Sequence, residues 1–144
     1  TNMNIMVYGL GGASKSILDS IKTSGNLFLA NRTEAKIEEA IKKSPNFKNY
    51  NGESLDLVIS CAQNLDLNTT KYFEHLNLSQ NTLLYDINYS NQTNKLFSDL
   101  SIVGKNNFYN GIGMLVEQAS ECFKLWFNKK PEVEEIKSKL NERL

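Results

Sequence analysis

The residues best suited to chemistry begin with Gly9-Leu10-Gly11-Gly12-Ala13-Ser14. An apolar run, Asn4 to Tyr8, precedes them and an amphipathic stretch follows, which gives the glycines a strand–turn–helix context. In that setting Gly9 permits a tight turn and Gly11 lets the backbone approach a pyrophosphate. A small residue at Ser14, where a third glycine would be usual, keeps helix and strand close. The free N–H groups of the helix start then face an anion. The run is expected to cradle the phosphates of a dinucleotide.

A second group lies where the next strand should end. Sites for unphosphorylated dinucleotides place an acid there, to accept a hydrogen bond from the ribose 2′-hydroxyl. This chain has Asn31-Arg32-Thr33, with Lys36 one helical turn on. A guanidinium, a hydroxyl and an ammonium would hold a 2′-phosphate that an acid would repel. Alone they would read as a helix cap and two solvated charges. After the glycine loop they point to NADP.

The elements that must position these groups alternate short apolar runs with longer amphipathic ones, the pattern of βα units. Strands are expected at Asn4–Tyr8, Asn26–Ala30, Leu57–Cys61 and Leu83–Ile87, with weaker ones at Phe47–Tyr50 and Asn107–Tyr109. Helices are expected from Ala13 to Ser24, closed by Gly25 at C′, and from a Thr33 N-cap to about Lys43. Further helices are expected near Thr70–Leu76 and Lys95–Leu100. A long one should run from Gly113 to Phe127, with Leu115, Ala119, Cys122, Phe123 and Trp126 at helical spacing, and a last one should open at Pro131. The expected fold is α/β, a Rossmann-like doubly wound, mainly parallel sheet of five or six strands with helices on both faces. The 144 residues suit a single domain, 1–144.

Bulk properties narrow the function. Lys+Arg and Asp+Glu balance at 16 each, which argues against a nucleic-acid or membrane-surface protein. No apolar run reaches the roughly 20 residues of a membrane span, and no signal peptide is visible. Cys61 and Cys122 have no CxxC spacing and His75 is the only histidine, so no metal site is expected. Two reduced thiols in a cytoplasmic protein are the expectation.

Taken in order, the motifs resemble the cofactor half of shikimate dehydrogenases. They are Gly9 to Ser14; Asn31-Arg32-Thr33 with Lys36; Asp56-Leu57-Val58-Ile59; Asp86-x-x-Tyr89; and Asn110-Gly111-Ile112-Gly113-Met114-Leu115-Val116-x-Gln118-Ala119. Phe123-x-Leu125-Trp126, with Pro131 soon after, continues the likeness, which runs from about residue 5 to 136. The resemblance implies a pyrophosphate cradle at Gly9, Leu10, Gly11, Gly12, Ala13 and Ser14, and a 2′-phosphate clamp at Asn31, Arg32, Thr33 and Lys36. It implies that Ile87, Gly111 and Met114 border the nicotinamide, and that Tyr89 and Gln118 reach the substrate. The implied reaction is reduction of 3-dehydroshikimate to shikimate with NADPH, in the biosynthesis of chorismate and the aromatic amino acids.

The chain also departs from the family's pattern. Ser60-Cys61-Ala62 stands where the family carries Asn-Ala-Thr, and Tyr89-Ser90-Asn91 replaces Tyr-x-Pro, with Asn94 in a later Thr position. These changes leave open a quinate/shikimate dehydrogenase-like relative; a non-catalytic NADP-binding module, sensing the nucleotide or docking a partner, is the alternative from a different class. Ser60-Cys61-Ala62 also bears a slight likeness to glutamyl-tRNA reductase, but the Gly111–Gln118 signature decides against that family. The family's catalytic Lys–Asp pair lies in an N-terminal domain, and nothing here resembles it. No catalytic residue is therefore expected in this chain, which is expected to be inactive alone, to share its substrate with that domain, and to self-associate in isolation.

Overall fold

In the computed structural model, which describes residues 2–63, 67–89, 103 and 107–141, the chain forms one parallel sheet flanked by helices. The elements are β1 (Met3–Tyr8), α1 (Gly12–Ile21), β2 (Gly25–Ala30), α2 (Glu34–Lys43), β3 (Phe47–Asn49) and β4 (Leu57–Ser60). They continue with α3 (Leu67–Glu74), β5 (Leu83–Asp86), β6 (Phe108–Tyr109), α4 (Ile112–Phe127) and α5 (Val133–Asn141). The order across the sheet is β3-β2-β1-β4-β5-β6, and all five pairings are parallel. This is the doubly wound order whose direction reverses between β1 and β4, opening a crevice at the carboxyl ends of those strands.

Burial on both faces explains why the strands read as continuous apolar runs. Alternate residues feed opposite sides. Met6, Phe28, Ala30, Val58 and Leu84 pack with Leu55, Phe73 and Leu76 on one face. Ile5, Val7, Leu27, Leu29, Ile59 and Cys61 pack with Leu18 on the other, flanked by Ile17, Ile21, Ile37, Ala40 and Ile41. Burying each large aliphatic side chain contributes about 1.5–3 kcal/mol, so the sheet holds its edge rigidly under the loops.

Several boundaries differ from expectation. The first helix stops at Ile21, and the Ser24 N–H closes a turn on the Ile21 carbonyl at 2.8 Å. Gly25 begins β2 rather than capping a helix. It pairs with Met3, and a Cβ there would collide with the Met3 carbonyl. Thr33 occupies the N-cap position of α2, but its hydroxyl makes no cap bond. The main chain closes that turn instead, with the Lys36 N–H on the Thr33 carbonyl at 3.2 Å. The final helix starts two residues beyond Pro131. The expected helix at Lys95–Leu100 and the departures at Ser90, Asn91 and Asn94 lie outside the described residues.

The long helix α4 buries a different stripe from the one its apolar spacing suggests. Ile112, Val116 and Ser120 are covered, whereas Leu115, Ala119, Cys122, Phe123 and Trp126 are exposed. Leu125 and Trp126 reach 82% and 75% exposure, a large apolar surface on one helix. α5 lies against α4 and is tied to it by Lys137, whose ammonium bridges Glu117 at 2.9 Å and Glu134 at 3.0 Å. No described helix is long and apolar enough to cross a membrane.

Candidate functional site

Two sets of bonds organise the carboxyl edge of the sheet. The first joins the turns after β1 and β2. Gly9 has φ +91° and donates its N–H to the Ala30 carbonyl at 2.8 Å. A Cβ on Gly9 would stand 2.8 Å from the Ala62 nitrogen, so glycine is required both by the backbone angle and by the close approach of the β4 end. The Leu10 N–H donates to Asn31 Oδ1 at 3.0 Å, and Asn31 Nδ2 donates to the Thr33 carbonyl at 3.0 Å. Asn31 therefore locks the glycine loop against the β2–α2 turn, with both ends of its amide engaged inside the protein.

What remains open is suited to an anion. Gly11 precedes α1 without a side-chain cap, and no atom lies within 4 Å of where a Cβ would stand on Gly11 or Gly12. Gly11, Gly12 and Ala13 are exposed, leaving the N–H groups of the helix start uncovered by side chains. Ser14 is buried, and its hydroxyl donates to the Gly11 carbonyl at 2.7 Å. It thus closes the turn from within. Arg32, Thr33 and Lys36 are all exposed beside this loop. Among the described residues neither Arg32 nor Lys36 enters an ion pair.

The second set joins the ends of β4 and β5 to the start of α4. Ile87 donates its N–H to the Ser60 carbonyl at 3.0 Å, and Gly111 donates to the Asn88 carbonyl at 3.0 Å. A Cβ on Gly111 would collide with the Ile87 carbonyl, so these two chains pass in direct backbone contact. Asn110 Oδ1 accepts the Ile112 N–H at 3.1 Å and satisfies one of the orphan donors of α4. Met114, half-buried, lies one turn into that helix.

Asp86 is fully buried at the end of β5, and burial pushes its pKa up to about 6 against the pull of the main-chain and side-chain donors of Asn88. Its Oδ1 accepts the Asn88 N–H at 3.2 Å and the Asn88 side-chain amide at 2.9 Å. This carboxyl orients a loop and is shielded from solvent. Burial, aided by the Asp86 charge, pushes the Cys61 thiol up to about 12, which keeps it un-ionised and unreactive.

Tyr89 is 47% exposed, three residues beyond Asp86. Gln118 is exposed two helical turns along from Gly111, on the same side of α4. The structure therefore brings together the glycine loop with Asn31, and Ile87 with Gly111, while Tyr89 and Gln118 project from the edge. Asn88 and Asn110 do structural work that their sequence context did not single out. The signal available was an Asp or Asn two residues before a main-chain donor, the spacing of a local side-chain turn.

Comparison with known proteins shows what the chain is similar to. Residues 111–140 match a family model described as the shikimate 5′-dehydrogenase C-terminal domain. The chain is 33% identical to the shikimate dehydrogenase (NADP(+)) of Pasteurella multocida, across 92% of the chain and 53% of that protein. It is 29% identical to the corresponding protein of Alteromonas mediterranea, across 96% of the chain and 53% of the relative. The structure superposes with a TM-score of 0.74 and 15% identity on shikimate 5-dehydrogenase of Thermus thermophilus in complex with NADP(H) and shikimate. That match covers 99% of this chain and 56% of the other. The chain thus spans about half the length of the curated relatives it matches.

Proposed function

We propose that this chain, similar along nearly its whole length to the C-terminal half of shikimate dehydrogenases, is the NADP-binding domain 1–144 of such an enzyme. The reading is carried by one observation: the Leu10–Asn31 bond locks the open start of α1 beside Arg32 and Lys36, two exposed cations that enter no ion pair among the described residues. The helix start and Gly9 to Ser14 receive the pyrophosphate, with Gly11, Gly12 and Ala13 offering N–H groups and Ser14 holding the turn. Arg32, Thr33 and Lys36 take the 2′-phosphate, and Asn31 positions them. Ile87, Gly111 and Met114 form the wall against the nicotinamide.

Tyr89 and Gln118 reach toward the substrate, which we take to be 3-dehydroshikimate reduced to shikimate. NADPH supplies the hydride, and this domain supplies binding and orientation. Proton transfer to the developing alkoxide we assign to the Lys–Asp pair of a partner domain, as the family resemblance implies. The exposed side of α4 that bears Gln118, Leu115 and Trp126 is the surface such a domain would cover. A separately produced substrate domain of this family, mixed with the chain, should restore NADPH-dependent reduction of 3-dehydroshikimate. No turnover with a mixture that binds NADPH would count against the enzymatic reading.

A further inference from the structure

Asn88 holds three segment ends at once. Its main-chain N–H and its Nδ2 both donate to Asp86 Oδ1, at 3.2 and 2.9 Å. The same Nδ2 donates to the Ala62 carbonyl at 2.5 Å, and the Asn88 carbonyl accepts the Gly111 N–H at 3.0 Å. One residue thereby ties the loop after β4, the end of β5 and the start of α4. Ala62 has no polar side chain with which to make that tie from its own side. Immediately beside it, the Ile87 carbonyl and Gly111 meet in backbone contact.

We infer that Asn88 is a positioning residue for the nicotinamide end of the cofactor. By pinning Ile87 and Gly111 against Ala62, it sets the width of the seam on which the ring rests. The inference builds on the NADP reading above. The side-chain chemistry is specific. Two amide hydrogens are needed for two acceptors facing different ways, and a carboxylate here would be set against the buried Asp86. A longer amide would displace the donor by one methylene from both partners. The adenosine end has its own bonds, through Gly9, Leu10, Ala30 and Asn31, and meets Ala62 only in the backbone contact at Gly9. Loss of Asn88 should therefore be felt at one end of the cofactor.

Calorimetry with NADPH and with 2′,5′-ADP, which carries the adenosine end alone, separates the two ends. Asn88→Ala should weaken NADPH about tenfold, the effect of losing one or two net hydrogen bonds, while 2′,5′-ADP changes less than about twofold. Asn88→Ser, which keeps a single short donor, should fall between, and it serves if the alanine variant does not fold. Unchanged NADPH affinity would overturn the inference. So would equal weakening of both ligands, because a general loss of structure would do that. An unmodified chain that gains nothing from the nicotinamide half would also overturn it, leaving the adenosine site standing. A chain that binds neither ligand would remove the NADP reading itself.

Discussion

Asn31 accepts the Leu10 N–H through Oδ1 at 3.0 Å, which makes it a strut between the phosphate loop and the β2–α2 turn. Its other amide end donates to the Thr33 carbonyl at 3.0 Å. Each bond contributes about 1 kcal/mol net, and removing both leaves a part-buried N–H without its acceptor. Asn31→Ala should therefore weaken NADPH binding about tenfold or more by calorimetry, although Arg32 is untouched. Asn31→Asp keeps the acceptor for Leu10 but adds a negative charge beside the 2′-phosphate, so it should lower the preference for NADPH over NADH. An alanine variant that binds as tightly as the parent would show that the strut does not matter.

Gly111 and Gly113 differ in what surrounds them, and substitution should move stability in opposite directions. A Cβ on Gly111 meets the Ile87 carbonyl, which no rotamer change can relieve. Gly111→Ala should cost about 1–3 kcal/mol, as overpacking does, and lower the thermal midpoint by several degrees. Nothing lies within 4 Å of a Cβ on Gly113, inside α4. Gly113→Ala should raise the midpoint, by up to about 1 kcal/mol of helix propensity. Thermal denaturation of both variants would check the pair together.

Asp86 makes stability depend on pH in a defined direction. Its folded pKa, about 6, lies above the ordinary 3.8, so between those values the folded chain binds more protons than the unfolded one. The contribution of this group is most favourable below about pH 4 and is lost as pH rises to about 7. It amounts to about 2–3 kcal/mol at 1.36 kcal/mol per unit. Asp86→Asn keeps an oxygen for Asn88 and removes the titration. Denaturant unfolding from pH 4 to 7 should show the variant with a flatter profile than the parent, and parallel profiles would contradict this origin.

The exposed side of α4 should make the isolated chain sticky. Leu125 and Trp126 stand 82% and 75% exposed, with Leu115 and Phe123 each at 40% along the same helix. An uncovered apolar face of this size favours association between copies. Solution scattering should show mass rising with concentration, and Trp126→Glu should reduce it. A concentration-independent monomer would remove the expectation.

How far the sequence could be read depends on whether each feature is local. The four central strands, β1, β2, β4 and β5, were legible because each is a short apolar run ended by a turn, and the glycine loop because its spacing is contiguous; the edge strands β3 (Phe47–Asn49) and β6 (Phe108–Tyr109) carry only a weak local pattern. The role of Asn31 was not. It reads as a phosphate ligand from its neighbours, but its partner Leu10 lies 21 residues away, and no local pattern records that bond. Asn88 was missed for the same reason, its partner Ala62 being 26 residues away. On α4, periodicity reveals apolar stripes but not which one meets the sheet, because both stripes are apolar and the choice is made by tertiary contact. The Thr33 cap failed because the adjacent Asn31 amide and the main chain close the turn first.

Calorimetry with NADPH and NADH, on the unmodified chain and on Arg32→Ala, tests most directly that this is an NADP domain. The unmodified chain should prefer NADPH, and Arg32→Ala should lose about 1.5–3 kcal/mol of NADPH affinity with little change for NADH, as expected for a bond to a charged group. Equal affinity for the two nucleotides, or a preference that survives the loss of Arg32, would contradict it.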